Sequence, residues 1–434
     1  MNEEKDRAIL VGLQLNDGSS FEHNLEELES LCQACDIAPV FTITQSLDAP
    51  HQALYIGSGK VHEVKEAAAN LDADLIIFDN ALSPSQARNL NLEIGLPILD
   101  RTALILEIFQ SRARSREAKL QVELARLQYL LPRLSGMGTA MSRQGGGSGS
   151  RSNKGAGEKK LELDRRHISH RITECKKELQ TIKKQRVTQR KSRNASQTPS
   201  VALVGYTNAG KSTILNAMLS HYGNDEITDI SHKKVLQEDM LFATLDTTVR
   251  KITISGKPAF YLSDTVGFID KLPHHLIDAF RSTLEEAIGA DLLLQVVDVS
   301  DPYYREHMRV TQDTLNDLGA GDIPMIIAYN KADRLPQFAH DLPIVTGNHI
   351  HMAAGADLGM DALADLILSN LFGKPVTMEL LIPYSQGSLV HRISEAGEVA
   401  KTEYQNDGTY MQVTFTPSAK DHALMQEVAS YRIG

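Results

Sequence analysis

The sequence predicts an α/β protein with three folded parts: an N-terminal α/β domain that carries a long helical hairpin, a second and larger α/β domain, and a small C-terminal α+β domain. Three observations predict this architecture. Strand-like apolar runs alternate with helix-like segments in two separate stretches, two heptad-like stripes flank a glycine-rich interruption, and a phosphate-loop motif opens the second stretch. A chain of 434 residues is long enough for two to four domains.

The N-terminal domain is predicted over residues 1–111. Apolar runs alternate there with polar, helix-like segments, which is typical of a largely parallel sheet. The predicted strands are AILVGLQL, APVFTI, ALYIG, DLIIFD and PILD. YIGSGK, from Tyr55 to Lys60, has glycines and a lysine but lacks the G-x-x-x-x-G-K-S/T spacing. It is either a strand-to-helix turn or a second phosphate site.

Cysteine usage and hydropathy indicate a cytoplasmic protein without a membrane span. Cys32, Cys35 and Cys175 cannot form a disulfide framework. The first two form a C-x-x-C, but no second pair follows at zinc spacing, so we interpret them as half-buried residues at a helix end. The amino terminus MNEEKDR is acidic, unlike a secretory leader, and every apolar run is shorter than the about 20 residues of a membrane span.

Residues 112–193 are predicted to form the helical hairpin. Apolar residues recur at steps of three and four in both halves, so each stripe can cover the other. The second helix is predicted from Glu158 to about Lys191, roughly 50 Å at about 1.5 Å per residue. The two stripes are Leu120, Leu124, Leu127, Leu131 and Leu134, then Ile168, Ile172, Cys175, Leu179 and Ile182.

The hairpin concentrates positive charge in an acidic chain. The net charge is −10, yet residues 112–193 hold 22 Lys or Arg against 7 Asp or Glu, a balance of +15 that leaves −25 elsewhere. This asymmetry predicts either a polyanionic partner or a solvated charged helix. Arg143, Arg151 and Lys154 are spread through the glycine-rich stretch. That stretch is either a passive tether or a tip that contacts an anion.

The second α/β domain is predicted over residues 194–374 and opens with SVALVGYTNAGKST. This segment reads as a strand, a loop with P-loop spacing and a helix, in which backbone N–H groups surround a phosphate. Lys211 would reach the β and γ phosphates, and the Ser212 hydroxyl would bind Mg²⁺. The nucleotide-binding candidates in the loop are Gly205, Tyr206, Thr207, Asn208, Ala209, Gly210, Lys211 and Ser212.

Two further motifs follow strands in the order that a guanine-nucleotide site requires. In DTVG, Asp264 can hold Mg²⁺ through water and the Gly267 N–H can sense the γ-phosphate. In NKAD, Asp333 can accept from guanine N1 and N2, a pattern that adenine does not offer. GTP and GDP are therefore the predicted substrate and product. The candidate binding residues are Asp264, Thr265, Val266 and Gly267, then Asn330, Lys331, Ala332 and Asp333.

FATLD lies between the phosphate loop and DTVG and contains the best candidate for a switch threonine. Thr244 would bind Mg²⁺ and the γ-phosphate in the triphosphate state only. Thr247 and Thr248 are rivals, because spacing alone does not decide. The four motifs together predict a P-loop GTPase domain with Lys211, Thr244 and Gly267 in catalysis. The candidate residues of this motif are Phe242, Ala243, Thr244, Leu245 and Asp246.

The C-terminal part, residues 375–434, is predicted to form a small α+β domain. TMELLIP is followed by the helix-like SQGSLVHRISEAG, two alternating runs VAKTEY and TYMQVTF, and the helix-like SAKDHALMQEVASY. The predicted order is β-α-β-β-α.

With these motifs, and with DNALSPSQARNL, GAGEKKLELDRR and DTVGFIDKLPHHL, the chain closely resembles the HflX family of ribosome-associated GTPases over nearly its whole length. The resemblance implies binding to the large ribosomal subunit and its rRNA, splitting of ribosomes, and GTP hydrolysis on contact. It also implies that the hairpin tip meets ribosomal RNA, which makes Arg143, Arg151 and Lys154 the RNA-binding candidates. A monomer is expected.

The chain departs from the family pattern at two places. The tip GGGSGSRSNKGAGE has Ala156 where proline is common, and Ala353 with Ala354 stands in place of S-A-x as the last guanine-binding element. The Ala354 N–H can still meet guanine O6, so somewhat weaker affinity is expected. Asn208 lies where potassium-activated relatives keep an asparagine; it either binds K⁺ or ties the loop together.

Phe268 occupies the place where Ras-like enzymes keep a glutamine that orients the attacking water. A slow intrinsic GTPase completed by its partner is therefore expected. Two other functions fit parts of the chain. One is a tRNA-modification GTPase, although the last 200 residues contain no cysteine. The other is an RNA-binding scaffold with a structural nucleotide site.

Overall fold

The structure is a computed structural model that describes residues 5–15, 21–134, 152–194, 198–223, 242, 245, 247–271, 286–338, 340–374, 376–415 and 421–433. It divides into two compact units. The first comprises the described residues up to Gln189 together with Phe242, Leu245 and residues 269–271, and the second comprises the rest. None of the helices in these ranges is long and apolar enough to cross a membrane.

The first unit contains the predicted parallel sheet, with strand order β2-β1-β3-β4. Strand β3 is buried at every residue, as a strand covered on both faces requires. The strands and helices in chain order are β1 Arg7–Gln14, α1 Phe21–Ala34, β2 Ala38–Ser46, α2 Ser58–Asn70, β3 Leu75–Phe78, α3 Pro84–Ile94, β4 Ile98–Asp100 and α4 Arg101–Arg112.

The predicted strand ALYIG is wrong. His51 and Tyr55 exchange backbone hydrogen bonds across a turn, and Tyr55 has a φ of 67°. Gly57 then caps α2, and Lys60 forms an ion pair with Glu63 at 2.6 Å. Because the backbone reverses direction between His51 and Tyr55, the apolar run does not form an extended strand. YIGSGK instead leads from this turn into α2.

Cys32 and Cys35 lie at the end of α1, Cys32 within the helix and Cys35 just beyond it. Cys32 is fully buried and Cys35 is partly exposed. Burial raises the pKa of the Cys32 thiol to about 12 and that of Cys35 to about 11. Both thiols therefore stay protonated near neutral pH, which disfavours thiolate chemistry.

The predicted hairpin consists of α5 Arg116–Leu134 and α6 Ser152–Asn194. Helix α6 begins six residues before the predicted start at Glu158, so Lys154 lies within it. The two stripes cover each other as expected: Leu120, Leu124 and Cys175 are buried, and further α6 residues pack against them.

The second unit contains a seven-stranded sheet of order β10-β11-β9-β8-β5-β7-β6. Its central strands β7, β5, β8 and β9 are parallel, so their carboxyl ends meet at one edge. The elements are β5 Ser200–Val204, α7 Lys211–Tyr222, β6 Thr248–Ile252, β7 Phe260–Asp264, β8 Leu292–Asp298, α8 Tyr304–Asp317, β9 Met325–Asn330, β10 Ile344–Thr346, β11 His349–His351 and α9 Met360–Phe372.

The C-terminal segment of the second unit has the predicted β-α-β-β-α order and an antiparallel sheet of order β12-β14-β13. Its own core includes Leu380, Ile393, Val413 and Phe415, all fully buried. The elements are β12 Val376–Ile382, α10 Gly387–Ala396, β13 Glu398–Gln405, β14 Gly408–Phe415 and α11 Asp421–Val428.

Candidate nucleotide site

Two positions of the phosphate loop between β5 and α7 require glycine, because neighbouring atoms leave no room for a side chain. Gly205 has a φ of 143°, and a Cβ there would lie 2.3 Å from the Val296 carbonyl oxygen of β8. Gly210 has a φ of 96°, and a Cβ would lie 2.2 Å from the Asn330 side-chain nitrogen. Neither position accepts a side chain. The loop is therefore held against β8 and β9, and α7 begins immediately after it, so that the N-terminal end of this helix, which favours an anion, adjoins the loop.

Lys211 is the first residue of α7 and its ammonium group is buried. Its Nζ donates to the carbonyl oxygens of Gly205 at 3.0 Å and Tyr206 at 2.7 Å. Burial lowers the pKa of Lys211 to about 8, opposed by the charge of Asp264. Because carbonyl dipoles compensate a buried cation only in part, a phosphate at this position would be stabilised strongly.

Asp264 and Ser212 form a pair of hard oxygen donors beside the loop. Asp264 ends β7 and is fully buried, and the Ser212 hydroxyl donates to its Oδ2 at 2.7 Å. Mg²⁺ binds one or two protein oxygens of this kind and completes its shell with phosphates and water. The two residues therefore fit Mg²⁺. Gly267 lies close by, since a Cβ there would be 3.1 Å from Lys211 Nζ.

The NKAD motif joins three loops. The Asn330 Nδ2 donates to the Ala209 carbonyl at 2.9 Å, and its Oδ1 accepts from the Ala354 N–H at 3.0 Å. Lys331 Nζ donates to the Asn208 carbonyl at 2.8 Å. Asn330 thus connects the phosphate loop to Ala354, the position predicted to meet the base. An amide at this position is required as both donor and acceptor.

The other predicted residues of this motif set lie in the same unit. Ala332 is buried and its N–H donates to the Met352 carbonyl at 3.1 Å, whereas Asp333 is exposed at the start of a short 3₁₀ helix. Ala353 exchanges backbone hydrogen bonds with Leu358 at 3.0 Å. Asp333 therefore has the solvent access that recognition of a base requires.

The structure describes the switch and tip residues only in part. Phe242 and Leu245 are buried in the first unit, and the Phe242 ring packs edge-on against Phe109 at 4.6 Å. Ala243, Thr244 and Asp246 lie outside the described residues, as do Arg143 and Arg151. Of Lys154 only the helical backbone is described. The choice between Thr244, Thr247 and Thr248 therefore stays a prediction.

Two residues near the site were not predicted from the sequence. Asp298 ends β8 and forms an ion pair with Lys331 at 2.8 Å. His307 on α8 stacks on the ring of Tyr206 with the ring centroids 3.9 Å apart. Asp298 could have been found, because polar residues at the carboxyl ends of parallel strands meet at one edge. His307 belongs to no motif and does not lie at the end of a strand, so the sequence pattern does not point to it.

Family models match three consecutive parts of the chain. Residues 22–110 match "GTP-binding GTPase N-terminal", residues 112–193 match "GTP-binding GTPase Middle Region", and residues 200–331 match "50S ribosome-binding GTPase". A GTPase HflX of Lacrimispora saccharolytica is 41% identical over 418 residues, which cover 96% of this chain and 95% of the relative. The chain belongs to the HflX family of GTPases. The HflX of Escherichia coli is 37% identical, with coverage of 93% and 92%.

Among solved structures, this HflX-family chain is similar to the complex of SsGBP with GDP, at 24% identity and a TM-score of 0.45, covering 83% of this chain and 97% of that one. A GTP-binding protein from Sulfolobus solfataricus in complex with GDP gives 23% identity and a TM-score of 0.41, with coverage of 84% and 98%. As an HflX-family GTPase, the protein binds GTP and GDP and hydrolyses GTP.

Proposed function

We propose that this HflX-family GTPase binds the large ribosomal subunit through its rRNA and splits or rescues ribosomes, with GTP hydrolysis stimulated by the ribosome. The observation that carries the proposal is the basic surface of the hairpin. Arg165, Lys176 and Lys177 are exposed on the 43-residue helix α6, within the segment of +15 charge. Such a surface releases counterions from RNA phosphates on binding. The description "50S ribosome-binding GTPase" for residues 200–331 supports the same partner.

The proposal includes the division of the chain into residues 1–111, 112–193, 194–374 and 375–434, a monomeric state and a cytoplasmic location. A monomer suits the task because a single hairpin carries the basic surface. The distinct cores of the N-terminal sheet, the seven-stranded sheet and the C-terminal sheet support separate folding of these parts.

Within the site, we assign Lys211 to the β and γ phosphates, Gly267 to the γ-phosphate and Asp333 to guanine. Ser212 and Asp264, with Thr244 in the triphosphate state, would hold Mg²⁺. When bound, Mg²⁺ supplies neutralisation of the phosphate charge that builds up during transfer. Ala353 and Ala354 would flank the base through their backbone.

Two residues of the site bear on the rate of hydrolysis. The Phe268 side chain is buried and has no group that could orient water, so the proposed intrinsic rate is slow and the ribosome completes the site. Asn208 has a φ of 58°, and its carbonyl accepts from Lys331. Its side chain either holds K⁺ in place of an arginine or serves the loop alone; comparison of turnover in KCl and NaCl decides between these roles.

Co-sedimentation with ribosomes in GDP and in a nonhydrolysable GTP analogue tests the proposal. Arg165→Glu, Lys176→Glu and Lys177→Glu together should weaken co-sedimentation and reduce its salt dependence, because fewer phosphates are neutralised. The matched control reverses three exposed charges outside the hairpin, Arg88→Glu, Lys251→Glu and Lys374→Glu. Equal losses in both variants would contradict the hairpin as the binding surface. Binding without stimulated turnover would favour a scaffold.

The glycine-rich stretch gives a second test. Replacing residues 145–155 by a short neutral turn should leave GTP affinity unchanged, weaken ribosome binding modestly and reduce splitting more than binding. Splitting at the full rate would mean that the stretch is a tether.

The base specificity is tested by Asp333→Asn. This substitution should move the preference from guanine toward xanthine, because the amide offers a donor where guanine N1–H needs an acceptor.

A further inference from the structure

The Tyr206 ring of the phosphate loop and the His307 ring of α8 form a buried stack. Their ring centroids are 3.9 Å apart and the planes differ by 11°. Tyr206 is 6% exposed and His307 is 9% exposed. Stacked aromatic pairs stabilise their own geometry beyond the area that they bury. The stack therefore fixes the orientation of Tyr206 relative to α8.

Tyr206 is also the residue at which two functional segments meet the phosphate loop. Its carbonyl oxygen accepts from Lys211 Nζ at 2.7 Å. On either side of it, the Thr207 N–H donates to the Phe268 carbonyl at 2.8 Å and the Phe268 N–H donates to the Gly205 carbonyl at 3.1 Å. A rotation of the Tyr206 backbone would thus displace the Lys211 ammonium and the residue that follows DTVG together.

His307 is itself firmly held. Its N–H donates to the Tyr303 carbonyl at 3.1 Å, and its carbonyl accepts from the Thr311 hydroxyl at 2.8 Å. Its ring nitrogen Nδ1 lies 3.9 Å from the Asp301 carboxylate. The next residue on α8, Met308, accepts through its carbonyl from Gln295 of β8 at 3.4 Å. The backbone of His307 is therefore anchored at both its N–H and its carbonyl, so the imidazole projects from a fixed point of α8, as a positioning residue requires.

We propose that His307 is a positioning residue for GTP binding: by stacking on Tyr206 it fixes the carbonyl that holds the Lys211 ammonium at the phosphate position. The inference rests on the nucleotide site proposed above. Because a P-loop lysine reaches the β and γ phosphates, loss of the stack lowers the affinity for the triphosphate more than the affinity for GDP.

The test compares His307→Ala, which removes the stack, with His307→Phe, which keeps a flat ring. Binding of GDP and of a nonhydrolysable GTP analogue is measured by stopped-flow fluorescence, and unfolding temperature is measured without nucleotide. His307→Ala should weaken binding of the GTP analogue about three- to tenfold, mainly because the analogue dissociates faster. His307→Phe should stay within about twofold. The control is Arg309→Ala, at an exposed position on the same helix. This variant should bind GDP and the GTP analogue as the unaltered protein does.

A double-mutant cycle separates stacking from a general effect on stability. Once His307→Ala has removed the stack, Tyr206→Leu should add little further loss, because residues that act as one unit are not additive. Fully additive losses, or unchanged analogue binding by His307→Ala, would overturn the proposal. If His307→Ala does not fold, Tyr206→Leu removes the stack from the other side and should weaken binding of the analogue to the same extent; unchanged binding by a folded Tyr206→Leu variant would overturn the proposal.

Failure of the site itself is recognised separately. If Lys211→Met binds the analogue as well as the unaltered protein does, the proposed nucleotide site is wrong. If Lys211→Met loses binding while His307→Ala keeps it, the site stands and only the positioning role of His307 is wrong.

Discussion

Two buried cations, one in each unit, are compensated in different ways. Arg101 in the first unit is 1% exposed, and all three of its guanidinium nitrogens donate to oxygen atoms. Two of its partners are carboxylates, Asp79 at 2.7 Å and Glu27 at 2.6 Å. Lys211 in the second unit is held mainly by the neutral carbonyls of Gly205 and Tyr206. The first cluster supplies its own counter-charge, and the second leaves room for an anion.

The pKa values of the two cations show the same difference. Burial alone would lower the pKa of Arg101, but the charges of Asp79 and Glu27 and their hydrogen bonds raise it overall. At Lys211 burial prevails and lowers the pKa to about 8. A buried charge with its own counter-charges serves the fold, whereas one with incomplete compensation serves a ligand.

Arg101→Leu should have the largest effect on folding. The substitution would leave Asp79 and Glu27 buried without their main counter-charge, at a cost of about 3–5 kcal/mol in the free energy of unfolding. Urea unfolding of the first unit, followed by hydrogen exchange of the β3 amides, measures the loss. Arg126→Leu is the control, because Arg126 is exposed and its ion pair with Glu107 spans 3.6 Å. Equal stability of both variants would contradict a structural role for the Arg101 cluster.

Lys211→Met should weaken nucleotide binding strongly and change folding stability little, the reverse of what is expected for Arg101→Leu. Loss of the ammonium should weaken binding of GTP at least a hundredfold, about 2.7 kcal/mol, because the loop sequence GYTNAGKS contains no second cation. The free energy of unfolding without nucleotide should change by less than about 1 kcal/mol, since an apolar chain replaces an incompletely compensated charge. Calorimetric titration and urea unfolding measure the two quantities. A loss of several kcal/mol in the nucleotide-free protein would place Lys211 in the same class as Arg101.

The residues of the second cluster stand in sequence motifs, whereas those of the first belong to no motif. Lys211, Ser212 and Asp264 stand at fixed spacings after strands, because a phosphate loop must be built from adjacent backbone groups. Their chemistry is local, so spacing reveals it. Glu27, Asp79 and Arg101 are scattered over 74 positions, and each looks like an ordinary polar residue. Only the packing of α1 and α4 beside the parallel sheet brings them together.

Local sequence patterns are reflected in the structure more faithfully than long-range contacts are. The stripes of the hairpin follow from period alone, so the prediction that Leu120, Leu124 and Cys175 face each other is confirmed. The predicted strand ALYIG is wrong because a short apolar run also occurs in turns. The positive φ of Tyr55, which marks this turn, cannot be recognised from the pattern of apolar residues. His307 escapes prediction because stacking on Tyr206 joins residues 101 positions apart.

Lys271→Met should have a smaller effect than Arg101→Leu on the same cluster. Lys271 Nζ lies 2.5 Å from Asp79 Oδ2, but the lysine side chain is 26% exposed, and Asp79 would keep its contact with Arg101. We expect a loss of about 1 kcal/mol in the free energy of unfolding, because solvent screens part of the interaction. Lys60→Met, at an ion pair with the more exposed Glu63, should cost less. A loss of 3 kcal/mol or more would mean that Arg101 alone does not compensate Asp79.

The smallest effect is expected at Thr207, where the direction of the change is informative. The Thr207 hydroxyl is buried and has no hydrogen-bond partner among the described residues, whereas the Thr265 hydroxyl is buried and donates to the Leu203 carbonyl at 2.6 Å. The same substitution, Thr to Val, removes one hydroxyl of each kind. Thr265→Val should lower the free energy of unfolding by about 1 kcal/mol, because a buried hydrogen bond is lost.

Thr207→Val should instead leave the free energy of unfolding unchanged or raise it by up to about 1 kcal/mol, since a buried hydroxyl without a partner is costly. If the hydroxyl serves the nucleotide, the variant should also bind a GTP analogue several-fold more weakly while its GDP affinity stays the same. The reason is proximity: a Cβ at Gly267 would lie 2.9 Å from Thr207 and 3.1 Å from Lys211 Nζ, beside the proposed γ-phosphate position. Urea unfolding with and without the analogue measures both changes. Destabilisation equal to that of Thr265→Val in the free protein would show that Thr207 is already satisfied, and the phosphate loop would then be as fully compensated as the Arg101 cluster.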